Sequence, residues 1–446
     1  MDERGRIPTL SLLPRLGRVG RADLLAFRDA QLRRLVRHAY DRVPHYRRQF
    51  DDHGVRPEDI RTADDLPRLP LTTREELQAL PLSDRLERGA DPERLITRET
   101  SGTSGRPMTL YRTWVEARII TAIRLRALHD FGARPLDRRA NIVVERHVPH
   151  PHNRRRPQRA LMALGVFPKI DLELREGLPA ILEALCRWQP DLLFGYPSVL
   201  ARLASLLTDE ARAVLRPRLI IAGAEAMTPL MRQQIADGFG TEVRDWYGAN
   251  EVALMGCECA QTGLFHVAEH GVVLEVLAEG RPAAVGEAGR VVVTGLHGFA
   301  MPFVRYLVGD IVVRGPEPCP CGAPFSTIAA IEGRVWDTLR MADGRVVHPN
   351  RLARIIATVG RRWVEQFQIV QDRPDRVVLQ VIPLAPLTEG DLAGLRKTAS
   401  DVVGPGTELV IRLVDHIEPE ASGKFRVSRA LADRSTESST APDPSA

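Results

Sequence analysis

The chain has 446 residues, 44% hydrophobic and 27% charged, with a net charge of +5, so two or three globular domains are expected rather than one core. That charge is small and its arginines are interleaved with acids, which argues against a nucleic-acid binder. No apolar run nears the ~20 residues of a membrane span, and Met1-Asp2-Glu3-Arg4 lacks an export-signal pattern, so a cytoplasmic enzyme is the expectation.

Helical periodicity marks residues 20–50 (Leu24, Leu25, Phe27, Leu32, Leu35, Val36) and ends at Val43-Pro44-His45-Tyr46. A polar, proline-dotted stretch runs to residue 95, then a small-residue segment, 97–107, leads into a helix over 114–130. Apolar runs at 140–144, 192–194 and 219–222 read as buried strands. They alternate with helices at 178–188, 197–207 and 228–238, the pattern of a largely parallel sheet. Between 271 and 315 the texture changes to strands at 272–277, 290–294 and 311–313 with Gly-rich turns, an antiparallel or barrel-like part. After Gly333-Arg334 the order is helix (349–359), strand (364–371), strand (375–383), helix (388–403), strand (408–415), an αββαβ module. The Pro/Ser-rich end, 435–446, reads as a disordered tail.

Four segments carry candidate chemistry. Ser101-Gly102-Thr103-Ser104-Gly105-Arg106-Pro107 combines bare glycine backbone with hydroxyls that can cradle phosphate oxygens, without the Gly-Lys-Ser/Thr of a Walker loop. Trp246-Tyr247-Gly248-Ala249-Asn250-Glu251, preceded by Ala222-Gly223-Ala224-Glu225-Ala226, offers a carboxylate after a glycine turn for Mg2+. In Arg305-Tyr306-Leu307-Val308-Gly309-Asp310 a carboxylate after a turn can grip ribose hydroxyls. Ser422-Gly423-Lys424-Phe425 holds one of only three lysines (Lys169, Lys397, Lys424) among 62 basic residues. Singly, each is better explained by a turn residue or a surface charge.

Their order and spacing resemble the AMP-forming acyl-adenylate ligases, and within them the phenylacetate–CoA ligase-like branch, whose N-terminal helix is similar to residues 32–47. The resemblance runs over about residues 30–430. It implies an α/β fold: a large N-terminal AMP-binding domain over 1–333 with parallel sheets and a strand-rich part at 257–325, a small mobile C-terminal domain over 334–432, and a tail over 433–446. It implies a carboxylic acid, an aryl one, adenylated with ATP and Mg2+ and then passed to CoA. Ser101, Gly102, Thr103, Ser104 and Gly105 would be the phosphate loop; Gly223, Ala224 and Glu225 would border the adenine; Tyr247 would lie near adenine and acyl group. Glu251 would contact Mg2+, Asp310 the ribose, Arg334 the domain junction, and Lys424 would serve adenylation. Lysine's compact charge on a flexible stem can follow phosphate oxygens as they move. Tyr196, Trp246 and Tyr247 offer a flat lining for an aryl acid, and His147 can border it, although His147, His150, His152 and Arg154 to Arg156 read first as a solvated loop.

Of five cysteines, Cys186 lies in an apolar helical run and reads as inert. Cys259 and His266, with Cys319 and Cys321 of Cys319-Pro320-Cys321-Gly322, suit a closed Cys3His zinc site, with Cys257 as the alternate for Cys259. The branch carries a similar set. Two departures stand out: Trp336 occupies the usual acidic hinge position, and 338–349 differs from the Gly-rich loop of CoA-using relatives. An amine or a carrier-protein thiol therefore stands as an alternative acceptor, and a decayed, non-catalytic ligase fold as an alternative of another class. Oligomeric state stays open, a homodimer included.

Overall fold

In the computed structural model, which describes residues 19–99, 107–144, 168–334, 337–384, 387–420 and 425–430, the helix expected over 20–50 is two: Arg21–Arg42 and Pro44–Asp52. Pro44 forces Val43 out of the helical region, to φ −113° and ψ 113°, which ends the first helix and lets the proline start the second. Among the described residues, one compact unit comprises 19–133 and 246–331, the other 134–144, 168–245 and 332–430.

The first unit is built on strands in the order Arg281–Pro282, Val272–Ala278, Ala288–Gly295, Tyr306–Arg314, Thr327–Arg334 (as far as Ile331), Phe265–Val267, Ala253–Glu258 and Val243–Ala249 (from Trp246). The strands expected at 272–277, 290–294 and 311–313 are all present, each longer than the apolar run that marks it, and they pair antiparallel. Leu32, Leu35, Val36 and Ala39 of the first helix pack with Tyr46, Val273, Leu296 and Val304 in one core. Helix Trp114–Asp130 starts with a reciprocal cap between Thr113 and Glu116. The other oxygen of buried Glu116 accepts the amides of Phe299 (2.6 Å) and Ala300 (2.8 Å), tying the helix start to a distant turn. Thr72 exchanges backbone hydrogen bonds of 2.9 Å with Arg305 and Leu307, which sets the short helix Arg74–Ala79 beside Tyr306.

The second unit holds parallel strands in the order Leu219–Gly223, Leu192–Gly195, Arg139–Val143, Lys169–Glu173. The last of these was not anticipated: it is an edge strand whose Lys169 and Asp171 face each other at 2.9 Å, too polar for an apolar run to reveal. The expected helices appear as Leu178–Trp188, Pro197–Ser205 and Pro229–Phe239. The αββαβ order is present as Asn350–Val359, Val364–Arg373, Arg376–Pro383, Glu389–Val403 and Glu408–Leu413. Its sheet gains a fourth strand, Ser428–Arg429, parallel to Val364–Arg373. Ile356, Phe367, Leu379 and Leu395 form its core, joined by Leu230 of helix Pro229–Phe239. Among the described residues, no helix is long and apolar enough to cross a membrane.

Candidate active site

Strands Val243–Ala249 and Ala253–Glu258 approach so closely that a Cβ on Gly248 would stand 2.3 Å from the carbonyl oxygen of Ala253. Only glycine fits, and the tight hairpin presents Glu251 at its turn. Strand alternation then separates two candidate residues. Tyr247 packs with Met255, Phe303 and Tyr306, whereas Trp246 packs with the cluster around Leu24, Ile119 and Phe325. The two rings therefore lie on opposite faces of the strand and do not form one continuous lining.

The two candidate carboxylates of the first unit, Asp310 and Glu251, are each held by a tyrosine. The Tyr247 hydroxyl donates to Asp310 Oδ2 at 2.8 Å. The Tyr306 hydroxyl donates to Glu251 Oε1 at 3.0 Å, and Arg74 Nη1 lies 3.8 Å from the same oxygen. Burial and the adjacent Glu251 charge push the Tyr306 hydroxyl well above the ordinary phenol range, so it stays a donor. Asp310 lies within strand Tyr306–Arg314, not at its end, one residue after Gly309 at φ 91°. The guanidinium of Arg112 donates to the carbonyls of Asn250 and Glu251, the latter at 3.1 Å, and burial lowers it to about 10, still charged at neutral pH. Tyr306 stands in a motif singled out from sequence without a role. Nothing local marks Arg74 or Arg112, whose partners lie far along the chain.

In the second unit, strand Leu219–Gly223 delivers the 222–226 segment. Ala224 sits at φ 69°, an uncommon conformation for a residue with a Cβ. Glu225 Oε2 accepts from the Ser198 hydroxyl at 2.7 Å and its Oε1 from the Phe425 amide at 2.7 Å. Tyr196, directly before helix Pro197–Ser205, is half-buried, and burial pushes its hydroxyl up. Arg334 ends strand Thr327–Arg334 after Gly333, whose φ of 120° and approach to the His348 ring (2.9 Å from a Cβ) exclude a side chain. Ser101, Gly102, Thr103, Ser104, Gly105, Arg106, His147, His150, His152, Trp336 and Lys424 lie outside the described residues.

A second constellation lies in the first unit. The ligand atoms of Cys259, His266, Cys319 and Cys321 all fall within 4.8 Å of one another, and Cys321 Sγ is 3.4 Å from His266 Nε2. A tetrahedral zinc with thiolate and imidazole ligands spaces them about 3.5–4 Å apart, so the donor set fits that ion. Burial lowers His266, keeping its ring neutral as a ligand must be. The knuckle is preformed: Gly322 N–H donates to the Cys319 carbonyl at 3.0 Å and Ala323 N–H to Cys321 Sγ at 3.4 Å. Cys257 is not part of this set; it lies with Asp130 and Arg126, and burial raises its thiol to about 12.

The CapK C-terminal domain family matches residues 339–429. A phenylacetate–coenzyme A ligase of Thermus thermophilus is 29% identical over 386 residues, 81% of each chain. The chain is thus similar to the phenylacetate–coenzyme A ligases over most of its length. Staphylococcus aureus protein CapK is 28% identical over 218 residues, 46% of this chain and 45% of that one. Among solved structures, 2-hydroxyisobutyryl-CoA ligase in the postadenylation state superposes with a TM-score of 0.78, at 18% identity, over 96% of this chain and 94% of that one. The shared fold spans 96% of the chain, and the ligase of Thermus thermophilus 81% of it.

Proposed function

We propose that this protein is an ATP-dependent ligase that activates an aryl carboxylic acid as its acyl-AMP and passes the acyl group to coenzyme A. The observation that carries the reading is the pair of carboxylates, Asp310 and Glu251, each fixed by its own tyrosine hydroxyl. Asp310, oriented by Tyr247, would accept the ribose hydroxyls. Tyr306 and Arg74 both address Glu251 Oε1, so Oε2 is the oxygen that would face Mg2+. Mg2+ would offset charge building on the α-phosphate oxygens as the substrate carboxylate attacks. Ser101, Thr103 and Ser104, with the amides of Gly102 and Gly105, would hold the departing phosphates. Lys424 would bring an ammonium to the same oxygens, the one charge in the set able to move with them.

The functional boundary would fall at 333/334, with Arg334 at the junction and the tail from 433 uninvolved, and the enzyme would work in the cytoplasm. Zn2+ held by Cys259, His266, Cys319 and Cys321 would pin the turns that flank the strand-rich part and take no part in the chemistry. A second reading, transfer to an amine or a carrier-protein thiol, is favoured by the sequence, which has Trp336 where the resemblance leads one to expect the acidic hinge residue. Acid-dependent pyrophosphate release with and without CoA tests both, since only the first reading gives a thioester product that requires CoA.

A further inference from the structure

Glu225 belongs to a segment whose neighbours would border adenine, yet its carboxylate is engaged elsewhere. One oxygen accepts from both the hydroxyl (2.7 Å) and the amide (3.2 Å) of Ser198, at the start of helix Pro197–Ser205. The other accepts from the backbone amide of Phe425 at 2.7 Å, 200 residues away in sequence. The Phe425 ring is buried in the same core as Ile382, Ile417 and Leu200, so that amide is held from two sides. Beyond it, Gln368 donates to the Arg426 carbonyl and Ile369 to the Val427 carbonyl, both at 2.8 Å. Arg426 in turn pairs with Glu420 at 3.3 Å and with Asp337.

These ties are of two kinds. Gln368, Ile369, Glu420 and Asp337 all belong to the C-terminal stretch itself, so they hold Arg426 and Val427 within that stretch. Glu225 is different, because it joins Phe425 to the 222–226 segment. Phe425 is bonded covalently to Lys424, so whatever fixes the Phe425 amide limits the reach of the lysine to the length of one side chain.

We propose that Glu225 is a positioning residue for the adenylation half-reaction: it clasps the Phe425 amide and so keeps the chain beside Lys424 next to the nucleotide-binding segment. The inference rests on the adenylating reading above and adds to it a residue that acts through the backbone. The clasp serves the step that uses Lys424 and has no part in acyl transfer to the acceptor.

The test uses the full-length Glu225→Gln variant. Glutamine keeps the size but sets an NH2 against one of two donors, so both bonds cannot be kept. Hydrogen–deuterium exchange at Phe425, which needs no substrate, should quicken at least about tenfold, and kcat for acid-dependent pyrophosphate release should fall about ten- to hundredfold, the worth of a hydrogen bond to a charged group. KM for ATP should stay within about threefold, and CoA thioester formation from supplied phenylacetyl-AMP should be unchanged. Ser198→Ala, which leaves the charge in place, should give a smaller loss of the same pattern. A raised ATP KM at constant kcat would make Glu225 an adenine contact and overturn the clasp. So would equal losses in both half-reactions, or unchanged exchange and kinetics. Wild-type protein that forms no acyl-AMP with any acid would remove the parent reading and this role with it, whereas failure of the variant pattern alongside an active wild type would remove this role alone.

Discussion

Replacing Tyr247 with phenylalanine deletes one oxygen and leaves the ring in its apolar cluster with Met255, Phe303 and Tyr306. What is lost is the 2.8 Å bond to Asp310. A hydrogen bond to a charged acceptor contributes about 1.5–3 kcal/mol, and because Asp310 is only half-buried, water recovers part of that, leaving about 1.4 kcal/mol or roughly tenfold in affinity. If Asp310 grips the ribose, the loss must fall on every ligand that carries one. Titration calorimetry of the variant should therefore show ATP and AMP weakened by the same factor of about ten, with pyrophosphate affinity unchanged. Because AMP needs no acid, the measurement does not depend on knowing the substrate. Unaltered AMP binding, or a loss confined to ATP, would refute the ribose role of Asp310 and the orienting role of Tyr247.

Lys424→Ala should lower acid-dependent pyrophosphate release by about 10²- to 10³-fold while the thermal melt is unmoved, the pattern of a group acting only in the transition state. An unchanged rate would remove Lys424 from the mechanism. Cys319→Ser should lower the melting temperature by about 5–10 °C and release zinc measurable by mass spectrometry; equal melting and no metal in the wild type would end the zinc assignment. Burial holds His270 at about 3 and His297 at about 4, below the ordinary 6.5, and among the described residues neither ring nitrogen of His270 has a hydrogen-bond partner. The unfolded chain therefore binds protons that the folded one refuses. Their contribution to stability is complete above pH 6.5 and is lost as pH falls through 4 towards 3, by up to about 1.4 kcal/mol per pH unit for each histidine. Urea unfolding across that window should show a shallower slope for His270→Phe than for the wild type; equal slopes would contradict the account.

Local patterns carried much of this fold into the sequence. Val272–Ala278 and the αββαβ order are legible because strand alternation and helical periodicity need only neighbours. Glu251 and the Cys259–His266 pair stand out as candidates because turns, glycines and ligand spacing are short-range features as well, whereas Asp310, expected after a turn, lies inside strand Tyr306–Arg314. The partners are another matter. Tyr306 lies 55 residues from Glu251 and Tyr247 lies 63 from Asp310, while Glu225 reaches 200 residues to Phe425. No periodicity links such pairs, since they meet only through the pairing of strands, that of Ser428–Arg429 with Val364–Arg373 included. Trp246 and Tyr247, adjacent in sequence, look like one aromatic surface until the strand that carries them turns one ring to each face.

The central claim, adenylation of an acid, is tested most directly by pyrophosphate release across a panel of aryl, heteroaryl and fatty acids, with ATP, Mg2+ and CoA supplied or withheld. The account predicts release that depends on an aryl acid, occurs without CoA at the level of a single turnover, and continues as multiple turnover with a thioester product when CoA is added. No release above background with any acid, from protein that binds ATP and is folded, would contradict it.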